Sequence, residues 1–406
     1  MISIVKNKDL FLETLIVPLV QGEILESDIV KLAEELQLPK TLLTEQIKAE
    51  KKEVSLFYPV AHKSVTRVYC LGLGTNPTLK MVIDAFKRFL QMEAAKLPSN
   101  LSIDISNGNF DPEFISILTE GIVSGLLLGT YKKGLYQTSN LSTDKWDSEP
   151  LNLQFFVDEK FEDIVKIAAD KGRAIAETQL KILRLVNSPS NKLTPINFAQ
   201  EAVISGKEFG YKVEVHDEKA IEKLGLYALK AVGQGSDTPA RFIVMEYKPK
   251  ATVSQLPTVG LVGKGVTFDT GGLSIKGSSN MHYMKSDMGG AAAVLGTIEL
   301  TAKLKLPVHL IAIIPATENC VDAKALKPGD VIGSYADKTI EIIDTDAEGR
   351  LILADGIAYL NKNYSPDVMI DVATLTGSCV QTLGYEAGGL FTNNDDLALK
   401  LTNAGD

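Results

Sequence analysis

The second half of the chain contains apolar runs that limit the folds available to it. These nearly continuous runs are residues 242–247, 258–262, 308–314, 340–344 and 368–372. A strand with one face in water alternates apolar and polar residues, whereas an unbroken apolar strand is buried on both faces. We therefore predict a mixed-sheet α/β domain with helices on both faces. In such folds, functional loops follow the carboxyl ends of strands.

The first part of the chain predicts a separate α/β domain. Its strand-like segments are residues 14–20, 67–73, 101–105 and 151–157. Between residues 78 and 96 the apolar side chains recur at helical spacing. A chain of 406 residues is also longer than a single hydrophobic core usually supports, so two domains are expected.

A long helical stretch over residues 162–186 ends in a segment rich in Asn and Pro, which is typical of a helix end. We interpret this helix as the connection between domains. The predicted organisation is an N-terminal domain over 1–160, a linker helix over 161–190 and a second domain over 191–406.

Charge and cysteine content exclude several classes of protein. A formal net charge of −9 argues against nonspecific attraction to nucleic acid. Cys70, Cys320 and Cys379 are widely spaced and odd in number, so they predict reduced thiols rather than a disulfide framework. No apolar stretch reaches the ~18 residues of a membrane span, and the first residues lack a signal peptide's features. We predict a cytoplasmic protein without a membrane partner.

Three segments carry charged residues next to glycines or strand ends. The charged positions are Lys264, Asp269 and Lys276 within 260–277, Asp287 within 284–296, and Asp344, Asp346, Glu348 and Arg350 within 342–355. In extended chain, residues two apart point the same way, so we expect Asp346 and Glu348 to converge. Two adjacent carboxylates repel each other unless a cation separates them. With Asp269 and Asp287 the charge suffices for two divalent ions, and oxygen ligands favour Mn²⁺, Mg²⁺ or Zn²⁺.

These residues also allow other interpretations. An Asp in a Gly-rich turn usually caps a helix or forms an Asx-turn. Lys264 resembles the lysine of a phosphate-binding loop, but that motif needs Ser or Thr next, and Gly265 follows here. A two-metal phosphoesterase would usually recruit His ligands. His282 is the only histidine within residues 260–296, and we expect it to be structural.

The charged positions resemble the signature of the leucine aminopeptidase (cytosol aminopeptidase) family. The matching residues, in order, are Lys264, Asp269, Lys276, Asp287, Asp346, Glu348 and Arg350. The strings FDTGG, KSDMGGAAAV and DTDAEGRL are also similar to the family's, and the similarity runs from about Arg184 onward. Asp344 stands where the family usually has Asn. The chain stops short of where members usually end, which predicts a C-terminally shortened catalytic domain.

The resemblance implies a role for each residue. It implies two metal ions bridged by Asp269 and Glu348, with Asp346 completing one site and Lys264 and Asp287 the other. Lys276 would act as a cation towards the oxyanion, and Arg350 would hold a bicarbonate-like anion that relays a proton. Residues 289–293 and 374–377 would line the pocket.

A lysine binds metal only as the neutral amine. Removing its proton at pH 7 costs roughly 4 to 5 kcal/mol. A dication ~4 Å away repels the ammonium by about 8 kcal/mol at an effective dielectric of ~20. The metal bond, added to that repulsion, favours the neutral amine.

The implied function is release of leucine and similar residues from peptides with a free amino end, by water activated between two metals. A homohexamer is implied by the family alone. The alternative is a binding or regulatory family member, with DNA as a ligand of some relatives, and with reduced or no peptidase activity.

Overall fold

The computed structural model describes residues 1–59, 64–106, 108, 110–132, 136, 146, 149–249 and 256–405. The chain divides into two compact units, Met1–Leu180 and Lys181–Asp406. The division falls inside a helix at Glu162–Asn187, close to the helix predicted over 162–186. The domain limits 1–160, 161–190 and 191–406 remain a prediction.

Unit 1 is built on a sheet of six strands. These are β1 (Ile2–Val5), β2 (Thr14–Leu19), β3 (Val54–Phe57), β4 (Arg67–Gly72), β5 (Asn100–Asp104) and β6 (Asn152–Phe156). Their order is β1-β6-β5-β2-β4-β3, and every pair is parallel except β3 with β4. The four predicted strands are therefore confirmed, with ends that differ by one or two residues.

Helices cover both faces of this sheet. They are α1 (Leu25–Leu36), α2 (Lys40–Gln46), α3 (Leu79–Glu93), α4 (Pro112–Gly129) and α5 (Glu162–Asn187). Successive side chains of a strand point to opposite faces. In the fully buried β2, Ile16 joins the core cluster under α3 and α4, whereas Leu15 and Val17 join the cluster under α1. The N-terminal α/β prediction is thus confirmed.

Helix α4 is the one described helix that is long and apolar enough to cross a membrane. Of its apolar window, 67% is buried inside the fold. Ile115, Leu118 and Ile122 belong to the core cluster of unit 1. Core helices satisfy the same length and composition criteria, so α4 is weak evidence for a membrane span.

Unit 2 contains a mixed sheet in which the parallel strands have their carboxyl ends at one edge. Its strands are β7 (Lys212–His216), β8 (Arg241–Tyr247), β9 (Thr258–Gly263), β10 (Gly265–Asp269), β11 (His309–Asn319) and β14 (Val368–Val372). The order is β14-β9-β11-β8-β7. Strand β10 follows β9 in the chain and pairs with the carboxyl end of β11, beyond the part that pairs with β9. Strands β9, β10, β11 and β14 are parallel, whereas β7 and β8 pair antiparallel.

Helices of unit 2 also lie on both faces of the sheet, as predicted. They are α6 (Pro195–Phe209), α7 (Glu218–Leu224), α8 (Tyr227–Gly233), α9 (Gly289–Lys303) and α10 (Glu348–Tyr364). Two further helices, α11 (Gly377–Leu383) and α12 (Asp395–Gly405), follow β14 and have no buried residues. Along β8, Ile243 and Met245 enter the cluster beneath α6 and α9. Phe242 and Val244 enter the cluster beneath α8 and α10.

The predicted strand over 340–344 was wrong in place and length. A short strand, β13 (Thr339–Glu341), pairs antiparallel with β12 (Val331–Gly333) in a separate two-stranded sheet. The chain then leaves the extended form in a single 3₁₀ turn at Thr345–Ala347. The Asp344 side chain accepts a hydrogen bond from the Asp346 N–H at 2.9 Å, which stabilises the turn. Alternation in an extended chain therefore cannot be what brings Asp346 and Glu348 together.

The start of α9 packs directly against the end of β14. A Cβ built on Gly290 would lie 1.9 Å from the Val372 carbonyl oxygen, whereas one on Gly289 would meet only a Thr374 methyl at 3.3 Å. We expect Gly290→Ala to lower the free energy of unfolding by about 1 to 3 kcal/mol, the usual effect of overpacking. Gly289→Ala is the matched control, with an expected change within about 0.5 kcal/mol. Urea unfolding checks both, and equal stability of the two variants would contradict this packing.

Candidate metal centre

Six charged side chains meet where the parallel strands of unit 2 end, and one of them, Lys276, comes from the loop after β10. Lys264 lies at the bend between β9 and β10, and Asp269 is the last residue of β10. Asp287 ends a 3₁₀ turn two residues before α9 begins. Asp346 lies in the 3₁₀ turn after β13, and Glu348 is the first residue of α10. The sheet edge and two helix starts therefore bring together residues that are up to 84 positions apart in the chain.

Three carboxylates form the centre of this arrangement. One oxygen each from Asp269, Asp346 and Glu348 lies within 4.8 Å of the others. Asp269 and Glu348 are buried, and the Asp346 side chain is 34% exposed. Acids this close repel each other unless positive charge lies near them. The predicted convergence of Asp346 and Glu348 thus occurs, by a turn and a helix start instead of an extended segment.

Lys264 connects the fourth carboxylate to the other three. Its ammonium lies 2.8 Å from Asp287 Oδ2 and 2.9 Å from Glu348 Oε1. It also donates to the Thr374 carbonyl at 3.2 Å. The lysine is only 3% exposed, so these contacts form in a region of low dielectric. A Cβ on Gly349 would lie 2.6 Å from Lys264 Cε, so the glycine leaves room for this side chain.

Lys276 lies on the more open side of the cluster. Its ammonium is 2.8 Å from Asp269 Oδ2 and also pairs with Asp346 Oδ1. Its side chain is 24% exposed, in contrast to the buried Lys264. The two lysines, which belong to the same predicted segment, therefore contact different carboxylates.

Burial and ion pairing shift the pKa values of Asp287, Glu348 and the two lysines. Burial raises the pKa of Asp287 to about 7, although Lys264 opposes the shift. Burial likewise raises the pKa of Glu348 against the attraction of Lys264. For both lysines burial favours the neutral form, but the facing carboxylates outweigh it and raise the pKa above the ordinary value. In the protein alone, burial therefore favours the protonated form of these two acids despite the lysines, and a bound cation would favour their carboxylate form.

The carboxylate oxygens fit a divalent metal. Glu348 Oε2 is buried and accepts no hydrogen bond from any residue in the described ranges. Asp287 Oδ2 and Asp346 Oδ1 also accept none of proper geometry there, although each lies at ion-pair distance from a lysine. A buried oxygen without a partner is costly in a folded protein. Carboxylate oxygens are ligands that Mn²⁺, Mg²⁺ and Zn²⁺ accept.

Three supporting side chains were not predicted in these roles. Asn319 donates from its amide to Asp269 Oδ1 at 2.8 Å. The Thr374 hydroxyl donates to Asp287 Oδ1 at 2.8 Å, whereas we predicted only that 374–377 lines a pocket. Thr345 donates to the Gly271 carbonyl at 2.7 Å. Each contact joins segments far apart in the chain, so no local sequence pattern signals it.

Arg350 lies outside the carboxylate cluster. It is exposed in the first turn of α10, and its charge acts on Asp344 through space. The ion pairs and hydrogen bonds found among the described residues include none from Arg350. His282 is exposed beside Tyr283, with ring centroids 4.1 Å apart, and does not reach the cluster.

The fold and the carboxylate cluster agree with one class of protein, the metal-binding peptidases. Residues 182–406 match the family model described as the cytosol aminopeptidase family, catalytic domain. This match covers more than half of the chain. The chain belongs to the cytosol aminopeptidase family, and the resemblance predicted from its charged residues is confirmed.

Curated relatives and a solved structure extend the match to the first unit. A probable cytosol aminopeptidase of Chloroherpeton thalassium is 38% identical over 420 residues, which cover 100% of this chain and 82% of the relative. A probable cytosol aminopeptidase of Chlorobium luteolum is 41% identical over 373 residues, covering 87% of this chain and 72% of the relative. The bottromycin maturation enzyme BotP, solved in complex with Mn, is similar with a TM-score of 0.80 and 30% identity, covering 97% of this chain and 79% of that chain. Family and relatives support an aminopeptidase and do not favour the binding or regulatory alternative.

Glu348 and Asp344 should differ in their effect on metal content. Glu348 is buried with an oxygen that lacks a partner, whereas Asp344 is exposed and caps a turn. We expect Glu348→Gln to lose bound metal. Asp344→Asn keeps an oxygen for the Asp346 N–H, so metal stoichiometry should stay at the wild-type value. Elemental analysis of the two purified variants measures this, and equal losses would show that the cluster does not bind metal through Glu348.

Proposed function

We propose that this chain is a leucine-type aminopeptidase that uses two divalent metal ions, Mn²⁺ or Zn²⁺ with Mg²⁺ as a third candidate. It would release leucine and similar residues from peptides with a free amino end. The observation that carries the proposal is the cluster of Asp269, Asp346 and Glu348, whose oxygens lie within 4.8 Å of one another. Lys264 forms ion pairs with both Asp287 and Glu348, so Asp287 is a fourth acid next to this cluster.

The proposed ligands divide into two groups. Asp269 and Glu348 would help to hold both ions, Asp346 would hold one of them, and Lys264 and Asp287 would hold the other. Lys264 contacts Asp287 and Glu348, and Lys276 contacts Asp269 and Asp346, which supports this division. When bound, two such ions would polarise a carbonyl group and lower the pKa of a bound water far below its bulk value, towards ~7.

Lys264 would act as a neutral amine. Its carboxylate partners favour the ammonium form, so proton loss depends on the charge of a bound cation. The first turn of α10 contributes in the same direction, because the amino end of a helix carries partial positive charge. Lys264 packs against Gly349 in that turn. The same partial charge stabilises the carboxylate of Glu348, the first residue of α10.

Lys276 would keep its proton and act on the substrate. Asp269 and Asp346 hold its ammonium and raise its pKa. Because the side chain is partly exposed, its charge can face a bound peptide. A fixed cation next to the scissile carbonyl would stabilise the negative charge that develops on its oxygen during attack.

Arg350 would hold a bicarbonate-like anion. Its guanidinium is exposed at the same helix start as Glu348 and has no ion pair with a described carboxylate. A guanidinium can bind an oxyanion through two parallel hydrogen bonds. The homohexamer is proposed from family resemblance alone, and the cytoplasmic location from the reduced thiols expected of Cys70, Cys320 and Cys379.

The function is tested with leucine anilide and its N-acetyl analogue. Protein treated with a chelator should lose hydrolysis of leucine anilide, and Mn²⁺ or Zn²⁺ should restore it. N-acetyl-leucine anilide should not be cleaved, because an amide nitrogen has a delocalised lone pair and cannot replace a free amine as a ligand. Full activity of metal-free protein would contradict the metal requirement. Rapid cleavage of the acetylated compound would contradict the exopeptidase assignment.

Substitutions of Lys264 and Lys276 should have different effects. Lys264→Arg cannot supply a neutral ligand, because guanidinium stays protonated, so this variant should lose metal together with activity. Lys276→Ala should keep its metal and lose about 100 to 1,000-fold in kcat, the usual effect of removing one oxyanion donor. Lys276→Arg is the matched control and should retain part of that rate. Metal content measured beside kcat distinguishes the roles, and full metal content in Lys264→Arg would refute the first.

A further inference from the structure

Asn319 enters the carboxylate cluster although the family signature assigns it no role. It is the last residue of β11 and is 4% exposed. Its amide nitrogen donates to Asp269 Oδ1 at 2.8 Å and to the Thr345 carbonyl at 3.0 Å. These two bonds use both hydrogens of the amide. One side chain therefore joins the end of β10 to the turn that carries Asp346.

Thr345 also connects the loop after β10 to the turn that carries Asp346. Its hydroxyl donates to the Gly271 carbonyl at 2.7 Å and accepts from the Ser274 N–H at 2.8 Å. Thr345 is 1% exposed, so these bonds form away from water. The loop can approach this closely because Gly272, with φ of +65°, has no Cβ; one there would lie 2.9 Å from Asn319 Oδ1.

These bonds also orient the Asp269 carboxylate. Asp269 Oδ1 accepts from the Gly271 N–H at 2.8 Å in addition to the Asn319 amide. With Oδ1 held by two donors, Oδ2 faces Lys276 and the cluster. A carboxylate held in one orientation loses little conformational freedom when it binds a cation. Residues that hold a metal ligand in place typically change affinity by about 10 to 100-fold when they are removed.

We propose that Asn319 is a positioning residue of the metal centre, which orients Asp269 and holds it at a set separation from Asp346. Thr345 supports the same separation from the other side of the turn. The inference rests on the proposed function, because it takes the carboxylate cluster to be the metal centre. It adds the residue that aligns two of the ligands with each other.

The test compares Asn319→Leu with wild type in calorimetric titration of Mn²⁺ into chelator-treated protein. Leucine is close to asparagine in volume and lacks both amide donors. We expect the dissociation constant for Mn²⁺ to rise by about 10 to 100-fold. Leucine anilide hydrolysis should recover when Mn²⁺ is raised in proportion. A residue important only for folding would lower thermal stability without changing Mn²⁺ affinity.

Asn363→Leu is the matched control. The Asn363 amide also donates two bonds, to the Tyr335 hydroxyl at 3.0 Å and to the Tyr359 carbonyl at 2.8 Å. It lies on α10 about 22 Å along the helix from Glu348. This variant should bind Mn²⁺ with wild-type affinity.

Thr345→Val keeps the shape of the side chain and removes only the hydroxyl, so it decides the question if Asn319→Leu does not fold. It should also weaken Mn²⁺ binding. If wild type binds Mn²⁺ and the folded variants bind it equally well, the positioning role is overturned and the proposed function stands. If wild type itself binds no Mn²⁺, the metal-dependent function has failed instead.

Discussion

The repulsion between buried carboxylates is the constraint on which the rest of unit 2 depends. Asp269 and Glu348 are almost fully buried beside Asp346, and no arrangement of apolar neighbours can stabilise that much like charge. The protein supplies two lysines, the start of a helix and several hydrogen bonds. Burial still raises the pKa values of Asp287 and Glu348. Such a cluster reduces stability unless a cation binds it, which is how a binding site differs from a structural ion pair.

The sheet explains how such unfavourable neighbours are held together. Parallel strands β9, β10, β11 and β14 end at one edge, and their cores on both faces are apolar and buried. The backbone of this edge is itself fixed: the Lys264 N–H donates to the Val372 carbonyl at 3.0 Å, and the Ala291 N–H donates to the Lys264 carbonyl at 2.9 Å. The stability of two hydrophobic cores therefore offsets the cost of placing the charges.

Local patterns predicted much of this arrangement, and what they missed depends either on long-range pairing or on a side-chain contact with the backbone. Apolar runs predicted β8, β9, β11 and β14 of the main sheet but not β7 or β10, and the charged residues in the loops and strand ends predicted Lys264, Asp269 and Glu348 as site residues. Asn319 could not be predicted, because its role depends on the register that pairs it with Asp269 across β10 and β11. The turn at Thr345–Ala347 was missed for a different reason. The Asp344 side chain hydrogen-bonds to the backbone there, a local contact that competes with an extended strand.

Lys264 and Lys276 show that position, more than residue type, decides the chemistry of a side chain. Both face two carboxylates, and both have raised pKa values in the protein alone. Lys264 is 3% exposed and lies against the first turn of α10, so any cation placed among its carboxylates acts on it through a medium of low dielectric. The Lys276 side chain is 24% exposed, and water screens the same repulsion. A single change, the binding of positive charge, should therefore remove the proton of one lysine and leave that of the other in place.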